Sequence, residues 1–390
     1  MKRIITILLI IAGVGAVGFF TFAQMGGEST DDSVQAVVDV VLAGREQVLL
    51  EEGSPDFGTA SEINVLLLGL DARKGNTEPH CDAIHMFTLN VEDWTISITS
   101  VPRGTYAYIP PGTYDVGEYY LANACSYAGL EYGIGEIEKI LGVKADYVAS
   151  VGFSQVIGLA RLFELPTTET LEWLRHRQSY AIGEPQRSHN QAVFIKDMII
   201  NRLGSLESTV SLPFQYLAYR LIDTDMDFGT ARALISGYVE SDIQDRPDDI
   251  SLAMKPYYQT VDYHLDLENA DEQIQKLMEY IGPFLSSDDF SGRTLEDVQD
   301  ELEVFVRARL DSHESINELY QQKIWLQIED DETREEFHYD FVRRYVEEVK
   351  EESRDAAIDA VSAYILEKTT LGLDDAVQHG RELMAGLVSE

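Results

Sequence analysis

Positive charge is scarce in this 390-residue chain: 30 lysines and arginines stand against 68 aspartates and glutamates, a formal net charge of −38. A surface this acidic repels the phosphate backbone of DNA and RNA, so no nucleic acid is expected as a partner. The same field makes any local gathering of arginines informative, because it must be held against the background. Cysteine is almost absent. Cys81 and Cys125 exclude a zinc ribbon or a cysteine-rich scaffold, and leave open one disulfide or two partly buried thiols. Familiar catalytic signatures are missing as well, with no P-loop, no H-E-x-x-H and no G-x-S-x-G. Gly152-Phe153-Ser154-Gln155 lacks the final glycine of a nucleophile elbow, and Ser154 reads instead as a helix cap. The glycines from Gly129 to Gly135 spell no dinucleotide loop, and no fixed-period repeat occurs.

What is present divides the chain. At this length two or three packed units are expected. Met1-Lys2-Arg3 precedes an uncharged run from Ile4 to Ala23, long enough to cross a bilayer as a helix rising about 1.5 Å per residue. It exceeds the apolar core of a signal peptide, about 7–15 residues, and no A-x-A site follows. Residues 1–23 are therefore expected to be a cytoplasmic end and single-pass membrane anchor, with the bulk of the chain outside the cytoplasm. Residues 24–60 read as a stalk with an amphipathic helix around Val34–Leu50.

The apolar run Glu62–Leu70 stops at Asp71-Ala72-Arg73 and reads as a buried central strand ending in a loop. Ile84–Val91 and Thr95–Val101 follow as strands joined by a hairpin at Glu92-Asp93-Trp94. After a Pro/Gly/Tyr-rich loop (Ile109–Tyr119) come a helix at Ile134–Leu141, a strand at Tyr147–Val151 and a helix at Phe153–Phe163. A short helix is expected over Thr168–Arg177, capped by Thr167 or Thr168, and a longer one over Arg187–Leu203. This alternation predicts a layered α/β domain over 61–285. Beyond it, acidic segments with apolar residues at Leu302, Phe305, Val306 and Leu310, then at Phe341, Tyr345 and Val349, predict a helical C-terminal domain over 286–390, read as a solvated bundle.

Charges gather at the ends of the apolar elements. Asp71 and Arg73 follow the first strand, Asp82 precedes the second, Arg103 follows the third in Ser100-Val101-Pro102-Arg103, and Arg175, Arg177 and Arg187 flank the Leu174–Gln191 region. Strand ends are where open α/β sheets bind ligands. An arginine presents a planar fork matched to two phosphate oxygens, and two nearby carboxylates can hold a Mg²⁺ ion that bridges phosphates. A phosphate-rich ligand is the expectation, against the alternative that each arginine is a surface residue paired with an acid.

Taken in order, Asn64 to Arg73, Cys81-Asp82-Ala83, Ser100-Val101-Pro102-Arg103, Asn123-Ala124, Leu174-Arg175-His176-Arg177, and Arg187 with Gln191 resemble the LytR-CpsA-Psr family of cell-envelope proteins. The resemblance runs from about Glu62 to beyond Asp225. It implies a three-layer α/β/α domain holding a polyprenyl pyrophosphate, with the lipid tail in an apolar tunnel. It further implies a phosphotransferase that moves a glycopolymer from that carrier to a cell-wall acceptor such as peptidoglycan. Carried over residue by residue, Asp71 and Asp82 would bear Mg²⁺; Arg103, Arg175, Arg177, Arg187 and Gln191 would contact the pyrophosphate, with Arg73 beside them; Asp82 and Arg103 would serve catalysis. Four positions depart from the pattern. His80 replaces an arginine, Gly104 an aspartate, Leu121 a lysine and Asn190 a second arginine. Three of these changes remove a potential cation, and a charged hydrogen bond is worth roughly 1.5–3 kcal/mol. A protein that kept the lipid pocket and lost catalysis is the second reading they leave open.

Overall fold

A computed structural model of the chain describes residues 30–48, 50, 53–71, 78–177, 180–208, 212–281, 295–312 and 314–389. The expected membrane anchor and Arg73 lie outside these residues. Among the described residues, no helix is long and apolar enough to cross a membrane.

The first element, helix α1 (Thr30–Gln47), carries Val34, Val37 and Val41 on one buried stripe. Spacings of three and four residues put them on one face. That face packs with Ile63, Met226, Ala233 and Leu234, and burying each valine stabilises by roughly 1.5 kcal/mol or more. Arg45 at its end bonds both carboxylate oxygens of Asp146 at 2.7 Å and the carbonyls of Gly58, Thr59 and Glu62. The helix read as part of a stalk is thus seated on the α/β body.

The strands are β1 (Glu62–Asp71), β2 (His80–Asn90), β3 (Thr95–Ser100), β4 (Tyr147–Gly152), β5 (Asp223–Thr224) and β6 (Ile250–Met254). They form one mixed sheet in the order β5-β4-β1-β2-β3-β6. β1 lies inside it, antiparallel to β2 and parallel to β4, which accounts for its nearly unbroken apolar run. The β2–β3 hairpin turns where expected. Its turn is held by Asn90, whose side-chain oxygen accepts from the amides of Glu92 and Asp93, an Asx-type turn that the Glu-Asp-Trp sequence does not advertise.

Helices cover both faces of the sheet, as the α/β reading expects. On one side Leu66, Leu68, Ile84 and Met86 meet α2 (Leu121–Tyr127) and α3 (Leu130–Leu141) through Leu121, Ala124, Ile137 and Leu141. A Cys81–Cys125 disulfide ties β2 to α2 on this side, resolving the choice that the sequence leaves open. Around the other side run α4 (Phe153–Leu162), α5 (Thr167–Arg175), α6 (Glu184–Ser208), α7 (Leu212–Arg220) and α8 (Phe228–Glu240), with Ile96, Ile98 and Ile250 packed on Ala192 of α6 and Tyr238 of α8. Helix α5 begins one residue earlier than expected, with Pro166 rather than a threonine at its N-cap.

After α9 (Ala270–Ile281), helices α10 (Leu295–Asp311), α11 (Asn317–Gln321), α12 (Asp331–Val349), α13 (Arg354–Thr370) and α14 (Asp374–Ser389) build two cores of their own. This helical part also grips α4. Arg161 donates to the carbonyls of Leu326 at 2.5 Å and Ile328 at 3.0 Å, and Gln327 Nε2 donates to Ser154 Oγ at 3.0 Å. Ser154 is therefore not a cap; it lies inside α4, and its hydroxyl holds the C-terminal helices.

Candidate functional site

A cavity of about 560 Å³ opens between the sheet and the helices of the second face. Its body is apolar: Leu67 of β1, Val151 of β4, Phe153, Val156 and Leu159 of α4, Leu171 and Leu174 of α5, Phe194 and Met198 of α6, and Ile235 of α8. Charge and hydrogen-bonding groups reach the same space from β1 (Asp71), β2 (Asp82 and His85), α5 (Arg175) and α6 (Arg187 and Gln191).

A β-bulge aims the residues of β2. Gly69 pairs with Ala83 and Leu70 with Cys81, which leaves Asp82 without a partner in the ladder. Since side chains alternate across a strand, the extra residue lets Cys81 and Ile84 face α2 while Asp82 and His85 face the cavity. A Cβ on Gly69 would stand 2.9 Å from the Ala83 Cβ, so the bulge requires glycine there. Because β2 pairs through this bulge, it begins at His80 and not at Ile84, where the apolar run starts.

On α6, Arg187, Gln191, Phe194, Ile195 and Met198 share one face by helical spacing. Arg187 Nη2 donates to the Asp82 carbonyl at 2.8 Å and lies 2.9 Å from Glu184 Oε2. Arg103 Nη1 donates to Asp82 Oδ1 at 2.5 Å, with its Nε 3.4 Å from Glu184 Oε1. Arg177 donates to the same Glu184 oxygen. Arg175 stacks its guanidinium over the Phe153 ring, 5.5 Å from the centroid. The structure thus brings Asp71, Asp82, Arg175, Arg187 and Gln191 to one cavity, and links Arg103 and Arg177 to them through Asp82 and Glu184.

Burial lowers the Arg187 pKa, with Glu184 acting against it. At Arg103 burial acts the same way, but the neighbouring Asp82 and Glu184 outweigh it and the pKa is raised. Both guanidiniums keep their charge. His85 is buried, with Nδ1 2.9 Å from Ser100 Oγ. Burial lowers its pKa to about 4, Gln191 partly opposing and Arg187 adding to the effect, so the imidazole is neutral at ordinary pH.

Two site residues were missed in the sequence. Glu184, the shared partner of three arginines, sits three residues before Arg187 in the first turn of a helix, the spacing of an ion pair. His85 is a polar residue in an apolar strand, a signal that the strand pattern contains but does not interpret. Three of the departing positions, His80, Leu121 and Asn190, are engaged away from the cavity lining. His80 Nδ1 donates to the Ala122 carbonyl at 3.2 Å, Leu121 is buried in the opposite core, and Asn190 accepts from Gln186 Nε2 at 2.8 Å.

The carboxylates of Asp71 and Asp82 are hard oxygen donors, the kind Mg²⁺ takes in ones or twos together with phosphate oxygens and water. Among the described residues no three His, Cys, Asp or Glu gather for a metal. Asp71 and Asp82 are the two carboxylates that line the cavity, and one oxygen of Asp82 is already engaged by Arg103.

Residues 35–159 match the profile of the LytR_cpsA_psr family. Asp71, Asp82 and Arg103 fall inside that match; the later arginines and Gln191 lie beyond it. The chain is 30% identical over 149 residues to the polyisoprenyl-teichoic acid–peptidoglycan teichoic acid transferase TagT of Bacillus subtilis, covering 37% of this chain and 43% of that protein. It is 26% identical over 191 residues to TagU of Bacillus cereus, which bears the same transferase description, covering 47% of this chain and 58% of that one. The chain spans about half the length of these curated relatives. Among solved structures, B. subtilis TagV aligns with a TM-score of 0.43 at 16% identity, over 58% of this chain and 99% of that one. A structure of TagT bound to LIIa-WTA aligns with a TM-score of 0.38 at 18% identity, over 61% and 95%. Residues 35–159 thus carry this chain's match to the LytR-CpsA-Psr family, and Asp71, Asp82 and Arg103 are charged residues within that match that reach the cavity or its rim.

Proposed function

We propose that this protein is a phosphotransferase that moves a glycopolymer from a polyprenyl-pyrophosphate carrier to a cell-wall acceptor such as peptidoglycan. The observation that carries this reading is the joining of an apolar cavity to an arginine cluster: Arg175 and Arg187 line the cavity itself, and Arg103 and Arg177 adjoin it. A long hydrocarbon tail suits the apolar part, and a diphosphate suits the cations. Relatives described as teichoic acid transferases support the same substrate class.

In the reaction an acceptor hydroxyl attacks the phosphorus that carries the glycan. The new P–O bond forms as the bond to the bridging oxygen breaks, polyprenyl phosphate leaves, and the hydroxyl proton passes to a base. Arg103 and Arg187 hold phosphoryl oxygens and offset the charge that gathers on them. Asp82, fixed by Arg103, is the carboxylate beside the reacting centre. Mg²⁺ on Asp71 and Asp82 would neutralise charge on the leaving phosphate. The run Ile4–Ala23 would anchor the chain in the cell membrane, with the folded part outside the cytoplasm; the Cys81–Cys125 bond suits such an oxidising setting.

The test is transfer of labelled glycan from a polyprenyl-pyrophosphate donor to peptidoglycan by the full chain. Asp82→Ala and Arg103→Ala should each lower the rate by about a hundredfold or more; unchanged rates remove the reading. A second reading, a binding protein without turnover, is favoured by Gly104, which carries no side chain, and by buried Leu121 and Asn190, which offer no cation. Polyprenyl phosphate that copurifies with no detectable transfer or hydrolysis would select it.

A further inference from the structure

One wall of the cavity is not apolar. His85 and Gln191 are 1% and 8% exposed, both line the cavity, and His85 Nε2 and Gln191 Oε1 have no hydrogen-bond partner. Buried polar atoms are seldom left unpaired without a reason. The remaining atoms of both groups are engaged. Ser100 Oγ lies 2.9 Å from His85 Nδ1, and Gln191 Nε2 donates to the Leu174 carbonyl at 2.8 Å. Gln191 stands close enough to raise the imidazole's pKa against burial, yet outside hydrogen-bonding geometry. One turn before Gln191 on α6 lies Arg187, whose Nε is also buried and unpaired.

These positions define a neutral relay. With the Ser100 hydroxyl donating to Nδ1, the imidazole carries its proton on Nε2, which faces the Gln191 carboxamide. An Nε2–H donated to Gln191 Oε1 would fix the amide, directing one of its two N–H bonds at Leu174 and the other into the cavity beside Arg187. An apolar residue in place of His85 would leave the amide held by the Leu174 carbonyl alone.

We propose that His85 is a positioning residue for the phosphate end of the ligand: it sets the rotamer of Gln191, so that this amide and Arg187 together receive a phosphoryl oxygen where the apolar cavity begins. The ligand class is a phosphate or diphosphate ester of a long-chain isoprenoid alcohol. This inference rests on the function proposed above and extends it to a residue outside the resemblance.

The experiment measures binding of a fluorescent polyprenyl diphosphate, and of the uncharged polyprenol of equal length, to the detergent-solubilised full chain at neutral pH. His85→Phe should weaken diphosphate binding about tenfold, the weight of one hydrogen bond, and leave polyprenol binding unchanged. Ser100→Ala should produce a smaller loss of the same kind. His85→Gln, which can still donate to Gln191, should bind the diphosphate within about threefold of the parent. Equal losses for both ligands would mean that His85 only shapes the cavity, and no loss for the diphosphate would mean that it positions nothing; either overturns the inference while the proposed function stands. A parent chain that binds neither ligand removes the proposed function and this inference with it.

Discussion

Arg103 reaches Asp82 at 2.5 Å from the end of the neighbouring strand, and both then meet Arg187, through Glu184 and through the Asp82 carbonyl. Two carboxylates and one backbone oxygen thus hold cations that would otherwise repel one another. Glu184 stands among three arginines and pairs with each of them.

Glu184→Gln keeps the shape of that side chain and removes its charge. Arg103, Arg177 and Arg187 then face one another less well screened, and the ligand-free chain should lose about 1–3 kcal/mol. Inorganic pyrophosphate should restore part of the loss by occupying the same cations. Denaturant midpoints with and without pyrophosphate measure both effects, and a variant indifferent to pyrophosphate would show that the arginines do not form an anion site.

The Cys81–Cys125 bond spans 44 positions and ties β2 to α2 beside Asp82. Closing a loop of this size restricts the unfolded chain, and Cys125→Ser should cost about 2–4 kcal/mol. Urea unfolding of parent and variant, each with and without reductant, checks this. Reductant should lower the parent's midpoint and leave the variant's unchanged.

Acid should weaken the fold through His85. Its pKa falls from 6.5 to about 4 on folding, so between these values the unfolded chain binds a proton that the folded chain refuses. The contribution is fully present above about pH 6.5 and is lost as pH falls toward 4, amounting to roughly 3 kcal/mol. Buried His338 is lowered in the same direction. His85→Phe should therefore flatten the pH dependence of stability only in part, and an unaltered curve would contradict the burial of a neutral imidazole.

Arg161 links α4, which lines the cavity with Phe153, Val156 and Leu159, to the carbonyls of Leu326 and Ile328 in the helical C-terminal part. Arg161→Ala should loosen that brace, costing about 1–3 kcal/mol and speeding release of a bound polyprenol. Dissociation rates of the fluorescent alcohol decide the matter; identical rates would separate the C-terminal helices from the cavity.

The first four strands, the β2–β3 hairpin, the α4 and α6 helices and the helical C-terminal part were legible from apolar period, because that signal acts over a few positions; the short edge strands β5 and β6 were not. Local signals failed where distant contacts decided. Ser154 looked like a cap from its neighbours alone and proved to be held by Gln327, far along the chain. The helix of the expected stalk sits on the body because Arg45 finds Asp146 and its valines find α8.

The sequence by itself determined that arginines and aspartates stand at the ends of apolar elements in an acidic chain, and that their order follows a known family. Their common destination was decided by the tertiary structure. A bulge at Asp82 turns that carboxylate and His85 to the cavity face, and Glu184 gathers three arginines from three separate segments. Register in a sheet and the meeting of charges across it depend on pairing between residues far apart, and one chain's local periodicity carries no record of such pairing.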